Sequence, residues 1–330
     1  MTTTLTTPQP RDLATLHGVL SQWQGDRLPL QLHPGDLGWY GLRGEEATAA
    51  ALRLWAVDDT IAAIALLDGD QLLRFAIDPA LRDDEHLAER IAADADDPTS
   101  GLLRAGDAVI EARGANALGD ALEARGWVPD ELWTPLHRDL RAPVEVDGLR
   151  VRSLEPQATE EWALVHWSAF RGTPIPEDRL QGFVAGWRAV AQSPLSRETS
   201  ILALKDDDNR TVAIAATWAA GAGRPGIVEP MGVHADHRGR GYGVLVTRAA
   251  GCRTTRARRI QRTSRRRIIE RSSGRDLHRC GVHGRRGSSR LGTHRVKHPA
   301  CLPAHYGRNR TSRRSMPHRC DHSQFAVHPL

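Results

Sequence analysis

The sequence predicts an α/β fold with two tandem domains of one type, each a mixed α+β sheet covered by helices, followed by a basic tail. The order helices, hairpin, strand, helix occurs twice within the first 250 residues, as expected when helices cover a mixed sheet. The charge then changes sign, since residues 1–250 hold 24 basic and 37 acidic residues whereas residues 251–330 hold 21 and 3. We therefore expect domains at 1–145 and 146–250, the second incomplete, and an Arg-rich tail at 251–330.

The predicted elements of the first domain begin after a flexible end of about 25 residues that contains a short helical pattern. Asp68-Gly69-Asp70 marks a turn between two apolar runs and predicts a strand pair. Gly126 is expected to end a helix. In chain order we predict the edge of a helix or the start of a strand at 44–57 and the strand pair at 60–78. A helix at 81–95, a strand at 107–113, a helix at 117–127 and a strand at 133–140 follow.

The second domain repeats this order after a link at 142–146. Pro176 fits the start of a helix, where its missing N–H costs little. We predict a strand at 149–156, helices at 159–170 and 176–192, a hairpin at 200–223, a strand at 226–233, a glycine-rich turn at 234–243 and the opening of a helix at 244–250.

Composition excludes two classes of protein. The longest apolar run, Ile61–Leu67, is far shorter than the ~20 residues that span a bilayer. The first residues lack the basic stretch and apolar core of a secretory signal, so we expect a cytoplasmic, reducing location, where disulfides are rare.

The stretch VEPMGVHADHRGRGYG, residues Val228–Gly243, carries the chemistry. Its RxxGxG spacing runs from Arg238 through Gly241 to Gly243, between a predicted strand and a predicted helix. Glycine lets the backbone take positive φ and approach a ligand, so successive N–H groups can point at an anion beside the helix N-terminus. We interpret this turn as a pyrophosphate cradle; an ordinary tight turn with solvated arginines is the alternative.

The turn resembles the [QR]xxGx[GA] motif of the GNAT superfamily of N-acetyltransferases, and the chain resembles its tandem type, best over Leu149–Ala250. Ala235 departs from the pattern, since proline is common there. The resemblance implies direct transfer of an acetyl group from acetyl-CoA to an amine of an unidentified small-molecule or peptide acceptor, with no metal and no membrane partner. It implies these CoA-binding residues: Met231, Gly232, Val233, Arg238, Gly239, Arg240, Gly241, Tyr242 and Gly243.

Glu229, on the strand before the turn, is the candidate general base. An ammonium group must lose a proton before its nitrogen can attack a thioester, and a nearby carboxylate can take that proton. The alternative is a strand glutamate that meets solvent or pairs with an arginine. His234 and His237 could titrate near neutral pH, but both lie in the turn, where we expect them to be solvated.

Residues 1–145 resemble a GNAT unit that lacks the glycine-rich CoA-binding motif. At the equivalent strand-to-helix junction, Asp83, Asp84 and Glu85 stand in place of glycines, and their charges would repel a pyrophosphate. Asn116 stands where the family often has an asparagine. We interpret this domain as one that does not bind CoA and that shapes the acceptor site or the interface; an unrelated α/β domain is the alternative.

The 251–330 segment does not show the strand and the tyrosine-bearing helix that complete a GNAT unit, so this chain is expected to be impaired. A reading-frame change near codon 250 of a GC-rich gene is the first explanation. A basic nucleic-acid-binding arm is the second and makes a non-enzymatic binding module the alternative function, although only Tyr306 and Phe325 could stack on bases. A metal site at 278–283 or 318–322, without a CxxC pair, is the third. In each case we expect the tail to be mostly disordered.

Overall fold

The first half of the chain alternates helices with strands, and all of these strands except the last belong to one sheet. A computed structural model describes residues 2–69, 71–103, 106–129, 136–140, 142, 144, 151–154, 159–196 and 199–256, with three short strands beyond them. The elements are β1 (Thr3–Thr6), α1 (Leu13–Gln22), α2 (Pro34–Tyr40), α3 (Glu45–Ala51), β2 (Leu52–Val57), β3 (Thr60–Leu67), β4 (Leu72–Ile77), α4 (Glu85–Asp96), β5 (Val109–Glu111), α5 (Asn116–Ala124), β6 (Val128–Pro129) and β7 (Leu136–Asp139).

The second half repeats this plan. Its elements are β8 (Val151–Leu154), α6 (Glu160–Arg171), α7 (Glu177–Ala191), β9 (Thr199–Lys205), β10 (Thr211–Trp218), β11 (Gly226–Val233) and α8 (Tyr242–Arg256), followed by β12 (Arg267–Glu270), β13 (His283–Gly284) and β14 (Thr293–Arg295). The mixed α/β architecture predicted from the sequence is confirmed.

Two seven-stranded sheets are formed, in the orders β1-β2-β3-β4-β5-β14-β6 and β13-β7-β12-β11-β10-β9-β8. Each contains one parallel step between consecutive strands that are joined by a helix, β4 to β5 through α4 and β11 to β12 through α8. A parallel pair needs such a crossover. The helix α4 therefore corresponds to α8, the helix that follows the glycine-rich turn.

Strand β7 lies in the second sheet although the first half of the chain supplies it. It pairs antiparallel with β12, from Leu136 opposite Glu270 to Asp139 opposite Arg267. Leu140 and Val144, just beyond it, pack in a core cluster with Val246 of α8. The end of the first half is thus part of the second half's packing.

The largest core lies between the halves. It joins α1 and α2 of the first half to α6, α7 and β10 of the second, with Leu16, Leu37, Trp162, Trp187 and Trp218 all buried in one cluster. Such burial is the main source of stabilisation on folding, so the two halves share much of it.

Several elements differ from the sequence-based expectations. The expected flexible end contains β1, which pairs with β2 from Thr3 opposite Val57 to Thr6 opposite Leu54. Helix α2 was not expected at all. No strand pattern is visible after Ala250, yet α8 continues to Arg256 and the segment 251–330 contributes β12, β13 and β14; its other residues beyond α8 lie outside the described residues.

Candidate functional site

The glycine-rich turn has the backbone geometry of an anion-binding loop. After β11 a short 3-10 turn, Ala235–His237, leads to Gly239 and Gly241, whose φ angles are +75° and +81°. A Cβ built on either glycine would meet nothing within 4 Å. These two positions need glycine for their φ angles, and the space above them is open to a ligand.

The N–H groups of this turn are available to a ligand. Among the described residues, none accepts a hydrogen bond from the N–H of Gly239, Arg240 or Gly241, and helix α8 begins directly afterwards. The first N–H groups of a helix lack internal partners and carry positive partial charge. The residues present therefore fit a pyrophosphate.

Helix α6 fixes the turn from the side. Ser168 Oγ accepts a hydrogen bond from the N–H of Ala235 at 3.1 Å, and Arg238 Nη2 donates to the carbonyl of Ala169 at 2.7 Å. Both Arg238 and Arg240 are exposed, and the Arg238 side chain is occupied as a brace. Sequence reasoning did not identify Ser168, because the contact crosses more than 60 residues of chain.

The histidines of the turn have local contacts. His234 Nδ1 accepts a 3.3 Å hydrogen bond from the N–H of Asp236 and so caps the 3-10 turn. The ring of His237 lies 5.5 Å from that of His234 and 6.4 Å from that of Tyr242. Both side chains are partly buried rather than fully solvated, and a capping role explains His234.

Strand β11 has, among the described residues, a stretch of edge next to the turn that no strand pairs with. Its register with β10 shifts between Ala215 and Thr217, and its parallel pairing with β12 covers only Gly226–Val228. Within the described residues no strand pairs with that edge from Glu229 to Val233. The side chains of Met231 and Val233 pack towards the α8 side, and Gly232 faces α6, where a Cβ would lie 2.7 Å from Ala169 Cβ.

Glu229 lies at the beginning of this stretch of edge. Its carbonyl accepts a 2.6 Å hydrogen bond from Trp218 Nε1 on β10, and the residue is partly buried. Burial raises the pKa of its carboxyl to about 8, with a further increase from Asp36 that Arg74 opposes. A carboxyl that titrates near neutral pH is suited to general base catalysis.

The charges around Glu229 come from the first half of the chain. Arg74 Nη2 lies 2.8 Å from Asp68 Oδ2, and Arg74 Nη1 lies 3.8 Å from Asp36 Oδ1. Glu111 forms a 2.7 Å ion pair with Arg113. Sequence reasoning missed this charged cluster because its members are scattered over four segments and nothing in their local patterns marks them.

Comparison with known proteins identifies the fold. No family model matches the sequence, and no curated protein matches it. A GCN5-related N-acetyltransferase from Sphaerobacter thermophilus superposes with a TM-score of 0.51 at 18% identity, over 89% of this chain and 95% of that one. A tandem GNAT protein from the clavulanic acid biosynthesis pathway, determined without AcCoA, gives 0.52 at 12% identity, over 89% and 97%. An acetyltransferase of the GNAT family from Colwellia psychrerythraea gives 0.52 at 12% identity, over 90% and 100%.

The fold is that of the GNAT N-acetyltransferases.

The first GNAT-like unit differs from the second at the corresponding helix start. Asp84 precedes α4, and its carboxylate accepts a 2.8 Å hydrogen bond from the N–H of Leu87. A side-chain carboxylate thus satisfies an N–H group at the start of α4, whereas the N–H groups of Gly239, Arg240 and Gly241 before α8 have no such partner among the described residues. That the first unit does not bind CoA stays a prediction.

Other predicted features fall outside the site. In the part of the chain that the structure describes, no helix is both long enough and apolar enough to cross a membrane. Among the same residues, no three His, Cys, Asp or Glu side chains form a group that could hold a metal ion. Tyr306, Phe325 and the side chains of the tail's candidate metal motifs lie outside the described residues.

Proposed function

We propose that the chain is an N-acetyltransferase that moves an acetyl group from acetyl-CoA directly to an amine. The observation that carries the proposal is the open cradle of Gly239 and Gly241 at the start of α8, directly after this edge of β11. The cradle gives a place for a pyrophosphate. The edge of β11 gives a place for an extended arm that hydrogen-bonds to the strand backbone.

The turn and the strand bind different parts of acetyl-CoA. The N–H groups of Gly239, Arg240, Gly241, Tyr242 and Gly243 bind the pyrophosphate, and the β11 backbone at Met231, Gly232 and Val233 binds the pantetheine arm. Acetyl-CoA supplies an activated acetyl group as a thioester. The Arg238 side chain is hydrogen-bonded to α6. Arg238 therefore contributes to CoA binding through its backbone and by holding the turn in place.

Glu229 performs the proton transfer. Its carboxylate takes a proton from the acceptor ammonium, and the freed nitrogen forms a bond to the acetyl carbon as the carbon–sulfur bond breaks. The proton that the nitrogen then loses passes to the departing thiolate, which leaves as the thiol. Because the pKa of Glu229 is about 8, the base form increases as pH rises through that value. We expect the rate of transfer to rise over the same range.

Binding is tested by the melting temperature of the full chain with and without acetyl-CoA. At 100 times Kd a ligand stabilises by about 2.7 kcal/mol, which corresponds to a rise of about 4 °C for a chain of this size. Gly241→Val is expected to abolish this rise, because a β-branched residue disfavours positive φ and its side chain fills the cradle.

Gly126→Val is the matched control, since Gly126 also has a positive φ, +88°, and open space around it, but lies after α5. Both variants should melt lower than the parent chain, and only Gly241→Val should lose the response to acetyl-CoA. An unchanged response in Gly241→Val would contradict the site.

Transfer is tested by incubating the chain with acetyl-CoA and a panel of primary amines that includes polyamines, aminoglycosides and lysine peptides, with products detected by mass spectrometry. Glu229→Gln should keep the response of the melting temperature and lose about 10²–10⁴-fold in rate. Equal rates for the parent and this variant would remove Glu229 from the mechanism.

A further inference from the structure

Strands β4 and β11 hold the same place in the two units, since each is the strand that enters the parallel crossover. Among the described residues, the pairing of β4 with β5 ends at Arg74, and the pairing of β11 with β12 ends at Val228. Three residues beyond these ends, Ile77 of β4 corresponds to Met231 of β11. The proposed function assigns the backbone of Met231 to the pantetheine arm, so the place beside Ile77 is the equivalent place in the first unit.

The N–H groups at these two positions point away from the neighbouring antiparallel strand. N–H groups alternate between the two edges of a strand. The N–H of Asp78 donates to the carbonyl of Ala62 on β3 at 2.9 Å, so the N–H of Ile77 points to the opposite edge. In the second unit the N–H of His234 donates to β10 at 3.0 Å, so the N–H of Met231, an odd number of residues away, points to the corresponding edge.

In the first unit the chain's own Gln31 occupies this place. Its Oε1 accepts a 3.0 Å hydrogen bond from the N–H of Ile77, and its Nε2 donates to the carbonyl of Arg113, just beyond β5, at 2.8 Å. The N–H of Leu32 donates to the carbonyl of Phe75 at 2.8 Å. A side-chain amide therefore bridges β4 and β5, and a backbone amide beside it extends the pairing along β4.

The segment Leu30–Leu32 is held firmly in this place. All of its residues are buried, and Gln31 is only 4% exposed. Gln24 Nε2 donates to the carbonyl of Leu32 at 3.1 Å. Arg82, from the loop that leads to α4, is also buried, and its Nη2 donates to Gln31 Oε1 at 3.4 Å. A ligand could reach the edge of β4 only by displacing buried and hydrogen-bonded chain.

This segment belongs to a connection that differs between the two units. In the first unit the connection between α1 and α2 runs over residues 23–33, whereas in the second unit the connection between α6 and α7 runs only over residues 172–176. The shorter connection is mostly exposed. The additional length in the first unit supplies the residues that reach the edge of β4.

We propose that Gln31 is an internal ligand that closes the acetyl-CoA site of the first unit, so that the chain binds one acetyl-CoA, in the second unit alone. The inference rests on the function proposed for the second unit. Phe75 stands directly after the last paired residue of β4, where Glu229 stands in β11. The closed site therefore also lacks the carboxylate that would take the proton.

Closure of this site also fixes α2 against the second unit. The closing segment leads directly to His33, whose Nδ1 accepts a hydrogen bond from the N–H of Gly35. The other ring nitrogen, Nε2, therefore donates to the carbonyl of Pro225, just before β11, at 3.0 Å. The first unit thus uses its own acetyl-CoA site to anchor a helix beside the strand that carries Glu229.

The test is hydrogen–deuterium exchange of the full chain, read at single backbone amides by NMR. In the ligand-free parent the amide of Ile77 should exchange more slowly than that of Met231. Gln31→Met keeps the side-chain length without either hydrogen bond, so exchange at Ile77 should become about 5–10-fold faster relative to the amides of β10. Gln71→Met, at an exposed position directly before β4, is the matched control and should leave exchange at Ile77 unchanged.

Equilibrium dialysis of the full chain against acetyl-CoA counts the sites. The parent should bind one molecule per chain, and Gly241→Val should bind none. Two molecules per parent chain would overturn the closure, and so would exchange at Ile77 that Gln31→Met leaves unchanged. If Gln31→Met does not fold, equal exchange at Ile77 and Met231 in the ligand-free parent would overturn it. If no acetyl-CoA binds, the proposed function fails, while exchange at Ile77 still decides whether Gln31 closes the edge of β4.

Discussion

A single histidine, His166, is buried among aromatic side chains of the shared core. His166 of α6 is stacked on Trp162, with ring centroids 5.4 Å apart and planes 9° apart, and lies 5.2 Å from Phe183 and 4.8 Å from Phe170. Burial, with a smaller effect from Arg171, lowers its pKa to about 3. The native state therefore holds His166 neutral.

This lowered pKa predicts a loss of stability in acid. In the unfolded chain the histidine binds a proton below about pH 6.5, so between about 6.5 and 3 the unfolded state binds more protons and the free energy of unfolding falls as pH falls. His166→Phe should reduce that slope by up to about 1.4 kcal/mol per pH unit. Urea unfolding at pH 7, 6 and 5 measures it, and His86→Phe at an exposed position of α4 is the control. Equal slopes in the parent and His166→Phe would contradict the burial of a neutral ring.

Residues differ in how far their roles could be inferred from the sequence. Gly239 and Gly241 were identified because their spacing, strand before and helix after, is a local pattern. Glu229 was identified because it lies on the strand that leads to them. Asp36 and Arg74 were not, because their charges act on Glu229 only through the packing of one half on the other.

At the scale of elements, α2 shows how packing overrides propensity. The helix has only seven residues, and Gly35 and Gly38 within it weaken helix formation. It forms because His33 and Asp36 cap its start and because Gly38 allows it to lie against Trp218. The helices with apolar periodicity, α4, α6 and α7, could be predicted; this one depends on contacts that the sequence pattern does not show.

The same glycine-to-alanine substitution at Gly38 and at Gly18 tests whether α2 depends on close packing. A Cβ on Gly38 would clash with the indole of Trp218 and lie 2.9 Å from the carbonyl of Leu195, whereas a Cβ on Gly18 of α1 would meet nothing within 4 Å. We expect Gly38→Ala to destabilise by about 1–3 kcal/mol through overpacking. Gly18→Ala should stabilise by about 0.5–1 kcal/mol through helix propensity. Urea unfolding of both variants gives the signs, and stabilisation by Gly38→Ala would contradict the close packing.

At the scale of the whole molecule, the two GNAT-like units share one hydrophobic core. The cluster that contains Leu16 and Trp187 spans both halves, and Leu140 and Val144 of the first half pack on α8. Separation into two domains would expose these residues to water. The tandem order was predictable from the repeated elements, whereas the shared core was not, because its contacts join distant segments.

We therefore expect a single thermal transition, despite a length typical of two domains. In scanning calorimetry the calorimetric and van't Hoff enthalpies should agree, as for a two-state unfolding, and acetyl-CoA should move the entire transition to higher temperature. Two resolved transitions, of which acetyl-CoA moves only one, would show instead that the halves unfold independently.

The contact of Gly35 and Gly38 with Trp218 also constrains how the chain can change over evolutionary time. A larger residue at either glycine becomes tolerable only after the tryptophan has been replaced by a smaller one, and that replacement removes the indole that holds the carbonyl of Glu229. Substitutions in one unit therefore determine which substitutions are permitted in the other. Recombination that exchanged one unit for that of a distant relative would separate these partners and remove the fit between the glycines and the indole.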